Sequence, residues 1–218
     1  MTYENIKNNA AVRTYIEMAD KSLEALGYTE HSFAHVEMVA KRAEDILSTM
    51  GADPRQVELA KIAAYLHDIG NLVNRSEHSQ SGAVMAFRLL DHMGFPPQEI
   101  AEIATAIGNH DEGTGVPVSP IAAALILADK SDVRRSRVRN EDPATFDIHD
   151  RVNWSVTKTE LVINPEKTRI SLYLTIDAAL CSIMDYFGIF LGRMNLCRKA
   201  AQKLGLTFGL IVNGQVLL

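Results

Sequence analysis

The chemistry in this chain is carried by histidines and acids at particular positions. His67 and Asp68 are adjacent in Tyr65-Leu66-His67-Asp68-Ile69-Gly70. The preceding segment is apolar at Leu59, Ile62, Ala63 and Leu66, so His67 continues an inward helical stripe four residues after Ala63. Asp68 lies about 100° further round. A carboxylate beside an inward imidazole is costly if it is buried without a partner, and a divalent cation removes that cost. The same pair can also be read as a helix-capping histidine with a solvated aspartate. Asp129 follows eight apolar residues, Ile121 to Ala128. A helix that is apolar all round is buried, so the acid at its end needs a cation or hydrogen bonds. The charged run from Lys130 to Arg139 equally allows a surface turn.

Four more histidines fall at comparable places. His35 shares a face with Val39 and Ala43. His78 opens a segment in line with Gly82 and Met85, and His110 follows Ile100, Ile103 and Ile107. His31, one turn before His35, is read as an exposed histidine or as a group behind a ligand. Each alone is a core or capping histidine. Together they form a set of imidazoles and carboxylates suited to Fe, Mn, Co, Ni or Zn rather than to Ca. His149-Asp150 and His110-Asp111 are further adjacent pairs. The first lies in a charged linker and reads as surface, and Asp111 precedes a turn. His92, beside Gly94, reads as exposed.

The elements that must position these groups are helical over the first 140 residues. Apolar residues at helical spacing predict helices over 9–26, 31–50, 53–69, 76–93 and 97–109. Ser119-Pro120 opens another, which is expected to continue through Ser131-Asp132-Val133-Arg134-Arg135. After about residue 142 the pattern changes. Val152, Trp154 and Val156 alternate with polar residues, as do Ile170, Leu172, Leu174 and Ile176, with Asn164-Pro165-Glu166 between them. Asp177 is expected to cap a long amphipathic helix to Leu204. Asn213-Gly214 between apolar runs signals a hairpin. The expected fold class is α+β: an all-helical domain over 1–142 followed by a small ββαββ domain over 150–218.

Composition narrows the setting. The chain has 218 residues, 47% hydrophobic and 22% charged, with a net charge of −5. This fits a soluble globular protein and argues against an extended nucleic-acid surface. No apolar run reaches the length of a membrane span, and the first residues are too polar for a secretory signal. Cys181 and Cys197 make no disulfide framework and read as small core hydrophobes. The expectation is a cytoplasmic protein with no membrane partner.

The order His35 … His67-Asp68 … Asp129 resembles the HD-domain superfamily of metal-dependent phosphohydrolases. The flanking Leu66-His67-Asp68-Ile69-Gly70 and Leu127-Ala128-Asp129-Lys130 fit as well, and the resemblance covers about residues 28–135. His78 and His110 match the H…HD…H…H…D subtype, which holds two metals, although only ten residues separate Asp68 from His78. The resemblance implies one or two divalent transition metals. His35, His67, Asp68 and Asp129 would hold one ion and His78 and His110 the other, with Asp68 bridging. It also implies a metal-activated water acting on a nucleotide or another small phosphate ester, with no Ser or Cys nucleophile. Lys130 and Arg134 are the expected phosphate contacts, because a continuing helix would put Lys130, Arg134 and Arg137 on one face. The alternatives are a dimetal oxygenase of the HD type and a nucleotide-sensing module. In the latter, the ββαββ part would form a homodimer through its edge strands.

Overall fold

The computed structural model describes residues 1–218. Helix α1 (Tyr3–Lys7) leads into α2 (Ala10–Ala25), α3 (Phe33–Met50) and α4 (Pro54–Leu66). A short 3-10 turn, Ile69–Leu72, separates α4 from α5 (His78–His92). Then come α6 (Pro97–Gly108) and α7 (Pro120–Lys130). The starts follow from side-chain caps. Ser32 accepts from the Ala34 amide, Asp53 from Arg55 and Ser119 from Ala122, each satisfying a donor the helix itself cannot.

The C-terminal part contains α8 (Ile148–Ser155), β1 (Val156–Ile163), β2 (Arg169–Ile176), α9 (Ile183–Lys203), β3 (Thr207–Val212) and β4 (Gln215–Val216). The sheet order is β1-β2-β3-β4. The β1–β2 and β3–β4 pairs are antiparallel, while β2–β3 is parallel with α9 as the crossover. Ile170, Leu172, Leu174 and Ile176 of β2 are buried, as are Phe208, Leu210 and Val212 of β3. Asn213 and Gly214 have φ of 50° and 78°, the positive values a two-residue hairpin of right-handed twist requires. The molecule is thus α+β, with helices first and a small mixed sheet after them.

Three local expectations are corrected. Val152 and Trp154 lie in α8 rather than in a strand, because Asp147 caps the Asp150 amide and Val152 and Ser155 turn inward together. Three alternating residues cannot separate a strand from a helix, since 152 and 156 are also a helical i, i+4 pair. Helix α9 begins after Ser182, whose side chain and that of Asp185 form a reciprocal capping box, so Leu180 and Cys181 precede it. Helix α7 stops at Lys130 with Ser131 as its cap.

All of α7 from Ile121 to Lys130 is buried. It packs against α3, α4 and α6 on one side and against α9 on the other. One apolar cluster of 52 buried residues runs through both the helical part and the ββαββ part. The C-terminal helix therefore covers core rather than hanging from it. No helix is long and apolar enough to cross a membrane.

Candidate metal centre

Five elements converge on one hollow. His35 comes from the first turn of α3, and His67 and Asp68 follow the last residue of α4. His78 begins α5, His110 follows α6, and Asp129 sits in the last turn of α7. All six are buried: His35 and His67 are 0% exposed and Asp129 8%. His35 Nε2 lies 3.3 Å from His67 Nε2 and 3.5 Å from both Asp68 Oδ2 and Asp129 Oδ1. His67 Nε2 is 3.1 Å from Asp68 Oδ2 and 3.7 Å from Asp129 Oδ1. On the other side, His78 Nε2 is 3.2 Å from His110 Nε2 and 3.5 Å from Asp68 Oδ1. Two donors about 2.1 Å from a common ion, at 90–109°, lie about 3.0–3.4 Å apart, so these spacings suit ligands of a shared cation.

The tautomers say the same. His35 Nδ1 is 2.7 Å from Asp132 Oδ2, His67 Nδ1 2.7 Å from Ala64 O, and His110 Nδ1 2.6 Å from Ile107 O. His78 Nδ1 is 3.1 Å from Arg75 O. Each of these oxygens only accepts, so each Nδ1 carries a hydrogen. The Nε2 lone pairs then point at one another and at two carboxylates. Lone pairs crowded in this way need a cation between them. Asp68 offers Oδ2 to the His35–His67 side and Oδ1 to the His78 side, as a bridging carboxylate would. His67, Asp68 and His110 form one candidate ligand group, and His35, His67 and Asp129 another.

The electrostatics of the chain alone point to the same demand. Burial works against charge on Asp68 and Asp129. Nevertheless both are held well below the usual carboxylate range, Asp68 chiefly by His67 and Asp129 chiefly by Lys130. Burial also disfavours charge on His67, yet Asp68 and Asp129 push it up to about 10. Two buried carboxylates thus call for positive charge, and His67 takes up a proton to supply it. A divalent ion would displace that proton.

A second layer fixes the ligands. Asn71 Nδ2 donates to Asp68 O at 2.9 Å and to Asp68 Oδ1 at 3.0 Å. Asp132 is itself held by Arg134 Nε at 3.0 Å. Lys130 Nζ lies 2.9 Å from Asp129 Oδ2 and 2.6 Å from Glu112 Oε2, turning the other Asp129 oxygen inward. Burial works against charge on Glu112, but Lys130 and Arg193 overcome this and hold it at about 2. Gly70 sets the close approach of α5. A Cβ there would overlap the His78 carbonyl oxygen and the Gly82 amide. That contact lets His78 reach Asp68 across a ten-residue gap.

A cleft of about 430 Å³ reaches groups that support the hollow: Glu112, which meets Lys130, and Arg75, whose carbonyl meets His78 Nδ1. His31, Arg75 and Glu112 line it from the helical part, and Asn153, Phe190 and Arg193 from α8 and α9. His31 is buried, with Nδ1 on Thr29 O at 2.6 Å. His149 reaches the cleft rim from α8, while His92 is exposed as expected.

The expected phosphate contacts need revision. Because α7 ends at Lys130, the shared face of Lys130, Arg134 and Arg137 does not form. Arg134 is extended (φ −157°, ψ 147°) and pairs with Glu30 Oε2 at 2.7 Å. It lines a separate groove with Arg135 and Val156. Lys130 is next to the hollow but is spent on two carboxylates. Asn71, Glu112, Arg75 and Arg193 carry no signal in the motifs, and the only signal for Asp132 is its place three residues after Asp129.

Five buried helix ends presenting imidazole and carboxylate define a helical metal-binding class of site. Residues 32–134 match the sequence profile of the HD domain, and this part of the chain belongs to the HD-domain superfamily. The chain is 28% identical over 213 residues to an uncharacterized protein, MJ1020, of Methanocaldococcus jannaschii, across 86% of this chain and 82% of the relative. A crystal structure described as a predicted HD superfamily hydrolase from an uncultured Thermotogales bacterium is similar at 26% identity. It covers 60% of this chain and 73% of that one, with a TM-score of 0.44.

Asp132→Asn tests the second layer. The variant keeps the size of the side chain and loses the negative charge behind His35. Metal affinity is expected to fall about 10–100-fold, measured by competition with a chromogenic chelator, with the fold unchanged by circular dichroism. An unchanged affinity would show that Asp132 does not tune His35.

Proposed function

We propose that this chain is a metal-dependent phosphohydrolase acting on a nucleotide or another small phosphate ester. The observation that carries the reading is the inward convergence of four Nε2 atoms and two ionised carboxylates on one hollow, with a cleft lined by arginines reaching its supporting groups. His35, His67, Asp68 and Asp129 would hold one ion, and Asp68, His78 and His110 a second. Divalent ions, when bound, supply a water whose pKa is lowered toward about 7 and Lewis-acid contact with phosphoryl oxygen. The chain supplies the rest. Asp132, Ala64 O and Ile107 O keep the imidazoles in the ligating tautomer, and Asn71 keeps Asp68 aimed. Lys130 fixes Asp129, and the cleft arginines draw in the anionic ester. Hydrolysis breaks the P–O bond with water as nucleophile, so the buried thiols Cys181 and Cys197 have no part in it. The arginines favour this reading over a dimetal oxygenase, whose substrate need not be an anion.

The test is elemental analysis of the purified protein, followed by a phosphate-release screen over nucleotides and sugar phosphates with Mn, Co, Ni, Fe, Zn and Mg. One to two equivalents of a transition metal and metal-dependent phosphate release are expected. Metal-loaded protein that releases no phosphate from any of these esters would overturn the reading.

A further inference from the structure

Arg193 lies on α9, outside the segment that matches the HD domain, yet it lines the same cleft as Arg75 and Glu112. Its Nε donates to Glu112 Oε1 at 2.9 Å. The other Glu112 oxygen meets Lys130 Nζ at 2.6 Å, and Lys130 meets Asp129 Oδ2 at 2.9 Å. One chain of charges therefore runs from α9 to a metal-ligand carboxylate. The guanidinium also sits 4.5 Å above the Phe190 ring, which fixes its plane. Only Nε is used within the chain, so both Nη groups keep their donors. The side chain is 20% exposed and lines the cleft.

The other cleft cations differ. Arg137 gives Nε to Glu30 O at 2.9 Å and Nη1 to Asp132 O at 2.9 Å, so it ties loops together. Arg75 gives only Nη1, to Asn71 Oδ1 at 3.3 Å, and lies over Tyr28. Arg75 comes from the segment before α5, its carbonyl oxygen 3.1 Å from His78 Nδ1, and Arg193 comes from α9; both line the cleft. A planar fork with two free, oriented N–H groups matches two phosphate oxygens. Its orientation is already set by Glu112 and Phe190, so little is lost in ordering it.

Resting on the reading above, we infer that Arg193 is a substrate-anchoring residue: it binds a phosphoryl group of the ester at the metal hollow, opposite Arg75, so the ββαββ part completes the substrate site. The ligand class is a small molecule with a terminal phosphate. Lys130 is held between two carboxylates and Arg134 gives all three guanidinium nitrogens to Asp132, Ser136 and Glu30, so neither offers the free fork of Arg193.

The probe is inorganic phosphate, titrated calorimetrically into metal-loaded wild-type protein, Arg193→Gln and Arg193→Lys. Arg193→Gln is expected to weaken phosphate binding about tenfold or more at unchanged metal stoichiometry. Arg193→Lys should recover part of it, since it restores charge without the fork. With an ester found in the screen, KM should rise more than kcat falls, and free guanidinium should rescue Arg193→Gln. Wild-type phosphate affinity in Arg193→Gln overturns the inference and leaves the hydrolase reading standing. Affinity lost only together with metal also overturns it, because Arg193 would then act solely through Glu112 and Lys130. Metal-loaded wild type that binds no phosphate overturns both. If Arg193→Gln does not fold, Arg193→Lys, which keeps the stem over Phe190, decides alone: undiminished affinity there counts against a fork contact.

Discussion

Asp68→Ala is expected to remove bound metal from both sides of the hollow and to lower phosphate release about a thousandfold, equivalent to about 4 kcal/mol of transition-state stabilisation. The size follows from geometry. One carboxylate serves two groups of imidazoles: Oδ2 lies 3.1 Å from His67 Nε2, and Oδ1 lies 3.5 Å from His78 Nε2. Losing His35, His78 or His110 would leave one side complete. Losing Asp68 leaves neither. The fold should survive, because Asp68 is not a member of the apolar cluster that holds the helices together. Elemental analysis and circular dichroism of the purified variant, with a phosphate assay beside them, check this. Full metal content with activity intact would defeat the assignment of Asp68 as the bridge.

Chelation is the second large effect. The proposed ligands on α3, α5 and α7 and at the ends of α4 and α6 would let an ion tie five elements together only in the folded chain. At free metal about 100 times its dissociation constant the stabilisation is about 2.7 kcal/mol. In a chain of this size that is about 5–10 °C in melting temperature. The sign with pH follows from the competition between metal and proton. In the metal-free chain His67 is raised to about 10, so its protonated form stabilises that state below the ordinary histidine range. The contribution is lost as pH rises through about 10. Metal binding displaces this proton and strengthens as pH rises. The gap between metal-loaded and chelated melting temperatures should therefore widen from pH 6 to pH 8. A gap that narrows would mean that the ion does not compete with His67 protonation.

How much of this was legible in the sequence depended on whether a residue sits in a periodic pattern. His35 and His67 continue apolar helical stripes and Asp129 ends an all-apolar run, so spacing pointed them inward while leaving a capping histidine and a surface turn open. His78 and His110 could be placed at helix ends, and the resemblance supplied their grouping. The residues that orient them could not be read in this way. Asp132 and Arg193 meet the site from parts of the chain where no period runs toward it. Asp132 follows the end of α7, and Arg193 reaches across from a helix distant in sequence. The run after Asp129 misled for the same reason. Its charges suggested a solvated helical face, but Ser131 ends the helix, and Asp132 and Arg137 turn inward. The strand expected at Val152 failed because three alternating residues also fit a helix, and Asp147 is the cap that decides between them.

The glycine at position 70 has a mechanical consequence. Main chain rests against main chain where the turn after His67 meets the start of α5, so the separation of the two halves of the hollow is a hard stop rather than a setting of flexible side chains. An ion held there could not be gripped more tightly by sliding α5 inward. Any adjustment to ionic radius would fall to the side chains that reach the hollow, inside a frame set by main chain.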